Sequence, residues 1–224
     1  MFARLLGLVC LLNLGVCPAL PDSLSGTEKL ELYLKADSRQ PPGPLSYMKG
    51  ELASLMRSAG YRLEWRDEKG AGRTSTAVEL VVLELRGVCG ASSDGLSDKP
   101  PIENLPSLAA TAVSDGEILP FSWVNCETLT RMLAPALRGQ GAAQRDFLYG
   151  RAVARLLAHE LYHIILNTPE HGRDGVAKEC FAVSDLLTGH FEFEQTVLAR
   201  FHHSPTEHEA SGPGEVAGDA ASGR

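Results

Sequence analysis

The sequence predicts an α/β (α+β) fold: a mixed, twisted sheet packed against helices, with a small helical part near the C-terminus. Segments of strand, helix and strand character follow one another over residues 30–65, which indicates a right-handed βαβ unit. Asp115-Gly116 joins two further strand-like segments, as in a hairpin. Residues 142–166 form one long helix-like stretch, and residues 191–201 predict a final helix.

The first unit is predicted from two alternating segments and the helix between them. Residues 30–34 (LELYL) and 61–65 (YRLEW) alternate apolar and polar side chains, as half-buried strands do. Residues 37–44 (DSRQPPGP) are expected to form a loop, because paired prolines interrupt a helix. The helix that follows ends at Gly60, which is a good C-terminal stop. Its apolar residues at helical spacing are Leu45, Met48, Leu52, Leu55 and Met56.

The middle of the chain predicts a strong strand, a long loop and a short helix, besides the hairpin. Residues 77–89 (AVELVVLELRGVC) are the strongest strand candidate, because they are rich in Val and Leu. Residues 90–106 form a long polar loop that contains prolines. A short helix is expected to begin near Asn125 or Cys126 and to end before Gly139.

Residues 27–203 are predicted to form one domain between two segments of different character. Residues 1–19 have the layout of a secretory signal peptide: a basic residue, an apolar run and a small-residue end at Ala19. The apolar run is too short for a stable membrane span. Residues 204–224 are poor in large apolar groups and are expected to be disordered. The sequence therefore predicts a secreted or periplasmic protein.

Composition excludes some classes of partner. The formal net charge is −7, which disfavours nucleic acid and anionic membrane surfaces as partners. Aromatic residues make up only 6% of the chain, too few to predict a surface on which bases stack. We expect a monomer without a nucleic-acid partner.

The cysteines of the predicted domain indicate one disulfide. In an exported chain they enter an oxidising space. Cys89 and Cys126 each end an apolar segment, and we expect them to pair across neighbouring strands. Cys180 then remains unpaired, and its apolar neighbour Phe181 favours a small buried side chain over a reactive thiol.

Residues 159–163 (HELYH) place two histidines and a glutamate on one helix. Successive helical residues turn by about 100°, so His159 and His163 project from one face and can share a metal ion. Glu160 lies between them and can reach a water on that metal without being a ligand. Tyr162 points away from this face and is a weak candidate for an oxyanion stabiliser. An ordinary helix with surface histidines is the alternative, but burying these groups among apolar neighbours without partners is costly.

A third histidine, His171, follows eight residues after His163. It can join the same metal only if the helix ends and the chain doubles back. Asn167 tolerates the left-handed conformation that ends a helix, and Thr168-Pro169 prevents the helix from continuing. Three histidines leave a fourth zinc position open for water. Glu179 is the competing third ligand, but the helix-breaking loop fills most of the short distance to it.

The stretch HELYHIILNTPEH resembles the metzincin clan of zinc peptidases, whose pattern is H-E-x-x-H-x-x-G-x-x-H followed by a methionine turn. It is still more similar to a group of secreted bacterial zincins, and the resemblance covers residues 156 to about 187. It implies a zincin/metzincin-like fold with an active-site helix below the sheet. The implied zinc ligands are His159, His163 and His171. Glu160 is implied as the general base in the hydrolysis of a protein or peptide substrate.

This sequence departs from the family pattern at two positions and in the length of the loop before His171, which is two residues longer than is typical. Asn167 stands where glycine is usual, and the turn can tolerate it. Ala177 stands where the methionine of the turn is expected. That methionine forms an apolar floor under the metal and is not a ligand, so its loss concerns the tuning of the site more than zinc binding.

The sequence thus predicts a zinc metallopeptidase, with two alternatives from other classes. One is a zinc-binding protein whose zincin site has lapsed and no longer catalyses. The other is a binding module whose HExxH helix holds no metal. Retention of Glu160 favours catalysis, because a purely structural site has no use for a base at that position.

Overall fold

The structure is a computed structural model that describes residues 28–66, 80–91 and 107–203. The predicted signal peptide (1–19) and tail (204–224) lie outside the described residues, as does nearly all of the predicted loop after the third strand.

One mixed sheet of five strands forms the centre of the described chain. Its strand order is β2-β1-β3-β5-β4; β4 is antiparallel to β5, and the other neighbours are parallel. The parallel pairing of β1 with β2 and the mixed character of the sheet confirm the predictions. The turn between β4 and β5 is the predicted one, since Asp115 and Gly116 both have positive φ, 52° and 85°. The strands are β1 (Glu28–Ala36), β2 (Tyr61–Arg66), β3 (Leu80–Arg86), β4 (Ala109–Ser114) and β5 (Glu117–Asn125).

Five helices accompany the sheet in the described residues. None of them is long and apolar enough to cross a membrane. The second helix begins as predicted, because the side chain of Asn125 accepts a hydrogen bond of 3.0 Å from the backbone of Thr128. The helices are α1 (Pro42–Ser58), α2 (Cys126–Leu137), α3 (Ala142–Ile165), α4 (Val183–Leu187) and α5 (Gln195–His203).

Two helix boundaries differ from the prediction. The predicted loop over residues 37–44 is too long, since α1 begins at Pro42. Proline is tolerated in the first helical turn, where its missing N–H has no helical partner in any case. The final helix begins at Gln195 rather than 191, and the short helix α4 before it was not predicted.

Helix α3 lies in the core. Nearly all of its residues from Tyr149 to Ile164 are buried, and they share one apolar cluster with α1 and with Val81, Leu83 and Leu85 of β3. Gly150 lets α3 approach α1 closely, because a β-carbon there would lie 2.5 Å from the carbonyl oxygen of Pro44. Helix α3 is therefore packed against α1 and against strands β4 and β5 of the sheet.

Cys89 and Cys126 form the predicted disulfide, with their Cα atoms 4.8 Å apart. It links the loop after β3 to the start of α2, which follows the neighbouring strand β5. The buried hydroxyl of Tyr149 donates to the carbonyl oxygen of Cys126 at 2.9 Å, so the same point is also tied to α3.

The expectation that Cys180 is buried is wrong. Its side chain is free and exposed, in the segment between the turn at Gly175–Ala177 and α4. The side chain lines a cleft instead of the core, although its neighbour Phe181 is half-buried. A local apolar neighbour does not reveal on which side of a surface segment a residue lies.

Replacing both Cys89 and Cys126 by alanine is expected to lower the free energy of unfolding by about 2–4 kcal/mol, because the disulfide closes a loop of 37 residues in the unfolded chain. Denaturant unfolding of the oxidised proteins measures this. The exposed Cys180→Ser is the matched control and should unfold like the unchanged protein. Equal stability of the double variant and the control contradicts the prediction.

Candidate metal centre

Helix α3 presents His159 and His163 side by side. Their ring centroids lie 4.6 Å apart, and their Nε2 atoms are separated by 3.1 Å. Both side chains are buried, with exposed fractions of 6% and 8%. The four-residue spacing on one helix therefore produces the adjacency that the sequence predicts.

The helix ends where the sequence predicts. Its last residue is Ile165, and Asn167 has a φ of 43° in the left-handed region. The backbone N–H of Thr168 then donates to the carbonyl oxygen of His163 at 3.1 Å, which closes the end of the helix. The chain continues through Pro169 in a new direction.

The chain reversal brings His171 back to the other two histidines. Its ring is stacked on that of His159, with centroids 5.3 Å apart, and stands edge-on to that of His163 at 4.8 Å. Potential ligand atoms of the three residues all lie within 4.8 Å of one another, so they could hold one metal ion. Glu179, the competing third ligand, is not a member of this cluster.

Hydrogen bonds to the backbone fix which nitrogen of each buried ring carries the proton. Nδ1 of His159 lies 2.8 Å from the carbonyl oxygen of Val176, and Nδ1 of His163 lies 2.7 Å from that of Thr168. A carbonyl oxygen can only accept, so each Nδ1 must donate its proton. In the neutral ring the Nε2 atom then has a free lone pair, which is the atom that binds a metal.

The protonation of these rings is compatible with binding a metal ion. Burial lowers the pKa of His159 to about 4, despite the raising effect of the Val176 carbonyl, and lowers that of His163 as well. Both rings are therefore neutral at pH 7, and two bare Nε2 lone pairs face each other at 3.1 Å. A cation between them removes this repulsion, and tetrahedral zinc with bonds of about 2.0–2.1 Å requires a nitrogen separation of roughly 3.3 Å.

A tight turn after His171 supports the first histidine. The backbone of Gly172 donates to the carbonyl oxygen of Ala177 at 2.7 Å, which closes the turn that presents the Val176 carbonyl to His159. Gly175 has a φ of 63°, and a β-carbon there would lie 2.1 Å from the carbonyl oxygen of Glu192. Only glycine fits this position.

The turn occupies the part of the sequence where the resemblance places a methionine turn. Ala177 is fully buried there, although it is much smaller than methionine. The Val176 carbonyl oxygen of this turn thus contacts His159, and the Ala177 side chain fills less space than a methionine side chain would.

Glu160 is buried beside the histidines and is held by the edge strand. Its exposed fraction is 5%, and the hydroxyl of Thr111 on β4 donates to its Oε2 at 2.7 Å. Burial raises the pKa of this carboxyl to about 7, against the lowering effect of the Thr111 hydrogen bond. Among the described residues no other side chain donates to the carboxylate, so Oε1 is free to take part in proton transfer.

The histidines and Glu160 line a cleft made of two cavities, of about 330 and 290 Å³. The larger cavity is lined by the hairpin residues Thr111, Val113 and Ile118. The smaller one is mostly apolar and lies on the side of Cys180. Five residues line both cavities: Ser107, Ala109, His159, Glu160 and Glu179.

Several contributing residues were not predicted from the sequence. Thr111 was not singled out, since a threonine in an edge strand gives no signal of a contact 49 residues away. Arg155, one turn before His159, is also fully buried, and its guanidinium donates to Glu51 and to the carbonyl oxygen of Thr188. An arginine inside an apolar helical segment indicates a buried charge that needs partners, so Arg155 could have been identified from the sequence.

Tyr162 has the orientation that helical spacing predicts. It is fully buried away from the cleft, and its hydroxyl donates to the carbonyl oxygen of Glu170 at 2.9 Å. The guanidinium of Arg200 in α5 donates to the same hydroxyl at 3.2 Å. This tyrosine therefore ties the returning loop and the last helix to α3 and does not line either cavity.

No protein-family model matches the chain, and neither the curated proteins nor the solved structures give a significant match. The resemblance to the metzincins therefore stays a prediction from the motif.

Asn167 offers a direct test of the helix reversal. Asn167→Val is expected to lower the free energy of unfolding by about 1–2 kcal/mol, because a β-branched residue is strained at positive φ. It should also weaken metal binding, since His171 depends on the turn. Asn167→Gly is the matched control, expected to keep stability within about 0.5 kcal/mol. Equal denaturant midpoints and zinc affinities for both variants would show that the left-handed turn is not required.

The raised pKa of Glu160 predicts how the stability of the metal-free protein depends on pH. The folded carboxyl titrates near pH 7 and the unfolded one near 4.5, so the folded state holds an extra proton between these values. Stability from this group is present below about pH 4.5 and is lost as pH rises through 7. Glu160→Gln removes the loss and should be more stable than the unchanged protein by up to about 3 kcal/mol at pH 8, with no such gain at pH 4. Denaturant unfolding in chelator measures the difference, and a gain that does not vary with pH contradicts the raised pKa.

Proposed function

We propose that the protein is a zinc metallopeptidase, with His159, His163 and His171 as zinc ligands and Glu160 as general base. The observation that carries the proposal is the buried carboxyl of Glu160 in the same cleft as three converging imidazoles. Three neutral nitrogen ligands and an open fourth position are typical of catalytic zinc. A structural zinc site has no need of a proton acceptor at this position.

The chemistry that a bound zinc ion supplies is polarisation of the scissile carbonyl and a lowered pKa for a water molecule. Glu160 accepts a proton from the attacking water on Oε1 and returns it to the departing amine nitrogen. Thr111 holds Oε2 through its hydroxyl, which keeps the carboxylate turned toward the cleft. Burial raises the pKa of this carboxyl, which makes Glu160 a better proton acceptor than an exposed carboxylate.

The position of the cleft beside an edge strand supports a peptide as substrate. β4 is the last strand of the sheet, and it supplies Ala109, Ala110 and Thr111 to the cleft wall. Backbone groups on the open side of an edge strand can pair with an extended peptide. An elongated substrate would then pass both cavities and present its backbone to Glu160.

The disulfide supports an oxidising compartment. Cys89 and Cys126 pair within the described domain, and such bonds persist mainly in secreted or periplasmic proteins. Together with the signal-like residues 1–19 of the sequence, this favours an exported enzyme.

A zinc-binding protein without catalysis is the alternative, and Ala177 is the observation that favours it. Alanine leaves a smaller apolar floor than methionine would near the histidines. The alternative gives no reason for the burial of Glu160 at a cost in stability above pH 7.

The proposal predicts that the zinc-loaded protein cleaves an unfolded protein substrate, and that Glu160→Gln lowers the rate by roughly 10²–10⁴-fold while zinc content stays unchanged. Thr111→Val should lower kcat by a smaller factor, and Thr111→Ser, which keeps the hydroxyl, is its matched control. Zinc content and peptide-library digestion are measured on the same samples. Zinc bound without any cleavage favours the non-catalytic alternative.

A further inference from the structure

Glu179 lines both cavities of the cleft and does not belong to the histidine cluster. Its carboxylate is not among the ligand atoms that converge with those of His159, His163 and His171. The residue nevertheless lines both cavities and is exposed. A carboxylate at the junction of two cavities can contact a bound molecule in either of them.

Two acidic side chains, Glu160 and Glu179, line the cleft and differ in their surroundings. Neither cavity is lined by a lysine or an arginine among the described residues, whereas Glu160 and Glu179 line both. Glu160 is buried and held by Thr111, but Glu179 has no ion pair within the described residues. Its neighbour Lys178 is already paired with Asp185 at 2.5 Å. The charge of Glu179 is thus left for a ligand.

The smaller cavity is lined by apolar side chains as well as by Glu179. Its apolar lining comes from the residue before β4, from α2 and α3, and from the segment before α4: Leu108, Met132, Leu156 and Phe181. At about 290 Å³ it exceeds the roughly 150 Å³ apolar cavity that admits benzene. A long side chain with an aliphatic stem and a cationic end suits both features, because the stem packs on the apolar wall while the charge meets the carboxylate.

We propose that Glu179 is a specificity-determining residue that selects peptides with a lysine or arginine side chain at the smaller cavity. The inference rests on the proposed peptidase function and names the class of its substrate, a cationic peptide. Because Glu179 is exposed, the selection is modest: roughly two- to fivefold at low ionic strength, the range of an exposed ion pair, and weaker in salt.

The test measures binding rather than cleavage. Full-length Glu160→Gln protein with zinc is titrated with three alanine- and serine-based peptides that carry lysine, norleucine or glutamate at one position. Norleucine has the stem of lysine without its charge. The expected order of affinity is lysine, norleucine, glutamate, with roughly two- to fivefold between the first two. Norleucine equal to or tighter than lysine overturns the proposal.

Variants then assign the preference to one residue. Adding Glu179→Gln should abolish the difference between lysine and norleucine, and Glu179→Lys should favour the glutamate peptide. Glu28→Gln is the matched control, because it removes an exposed charge on β1, three strands away from β4, and should keep the preference. A preference that survives Glu179→Gln, or no binding of any peptide, overturns the proposal. If lysine is preferred as expected but the unchanged protein cleaves no peptide, the proposed function fails while the role of Glu179 stands.

Discussion

The structure depends on one constraint: a helix buried almost all round carries polar side chains that must each find a partner. An unpartnered polar group in such a position costs several kcal/mol, so the surrounding elements are arranged to supply one. The four buried polar residues of α3 are Arg155, His159, Glu160 and His163. Their partners come from α1, β4, the loop after α3, the turn before α4 and α4 itself: Glu51, Thr111, Thr168, Val176 and Asp185.

This constraint explains why the segment after α3 has so little freedom. The loop must place the Thr168 carbonyl against one ring, and the turn must place the Val176 carbonyl against the other. Asn167 and Gly175 adopt positive φ at the two points where the chain has to change direction. The hydrogen bonds at Nδ1 leave the Nε2 lone pairs of His159 and His163 available to a metal ion that His171 could also bind. The hydrogen bonds that satisfy the buried rings therefore also set the geometry in which the three histidines could hold a metal ion.

The local features of the fold and the Cys89–Cys126 pairing were predictable from the sequence, whereas the partner of Glu160 and the exposure of Cys180 were not. The strands, the Asp115-Gly116 turn, the Asn125 cap and the end of α3 each depend on neighbouring residues, so short patterns contain them. The adjacency of His159 and His163 also follows from helical spacing alone. Thr111 contacts Glu160 only because the sheet places β4 beside α3. The exposure of Cys180 likewise follows from the path of the chain around the cleft, which no local pattern specifies.

The central claim is that the helix reversal makes His159, His163 and His171 a single site for one divalent metal ion. A cobalt(II) titration of the metal-free protein tests it most directly, because cobalt replaces zinc and absorbs strongly in the visible only at low coordination number. The account predicts saturation at one ion per chain with that absorption, displacement by zinc, and loss of the signal in His171→Ala. No bound cobalt, a weak spectrum of six-coordinate cobalt, or an unchanged titration in His171→Ala would contradict it.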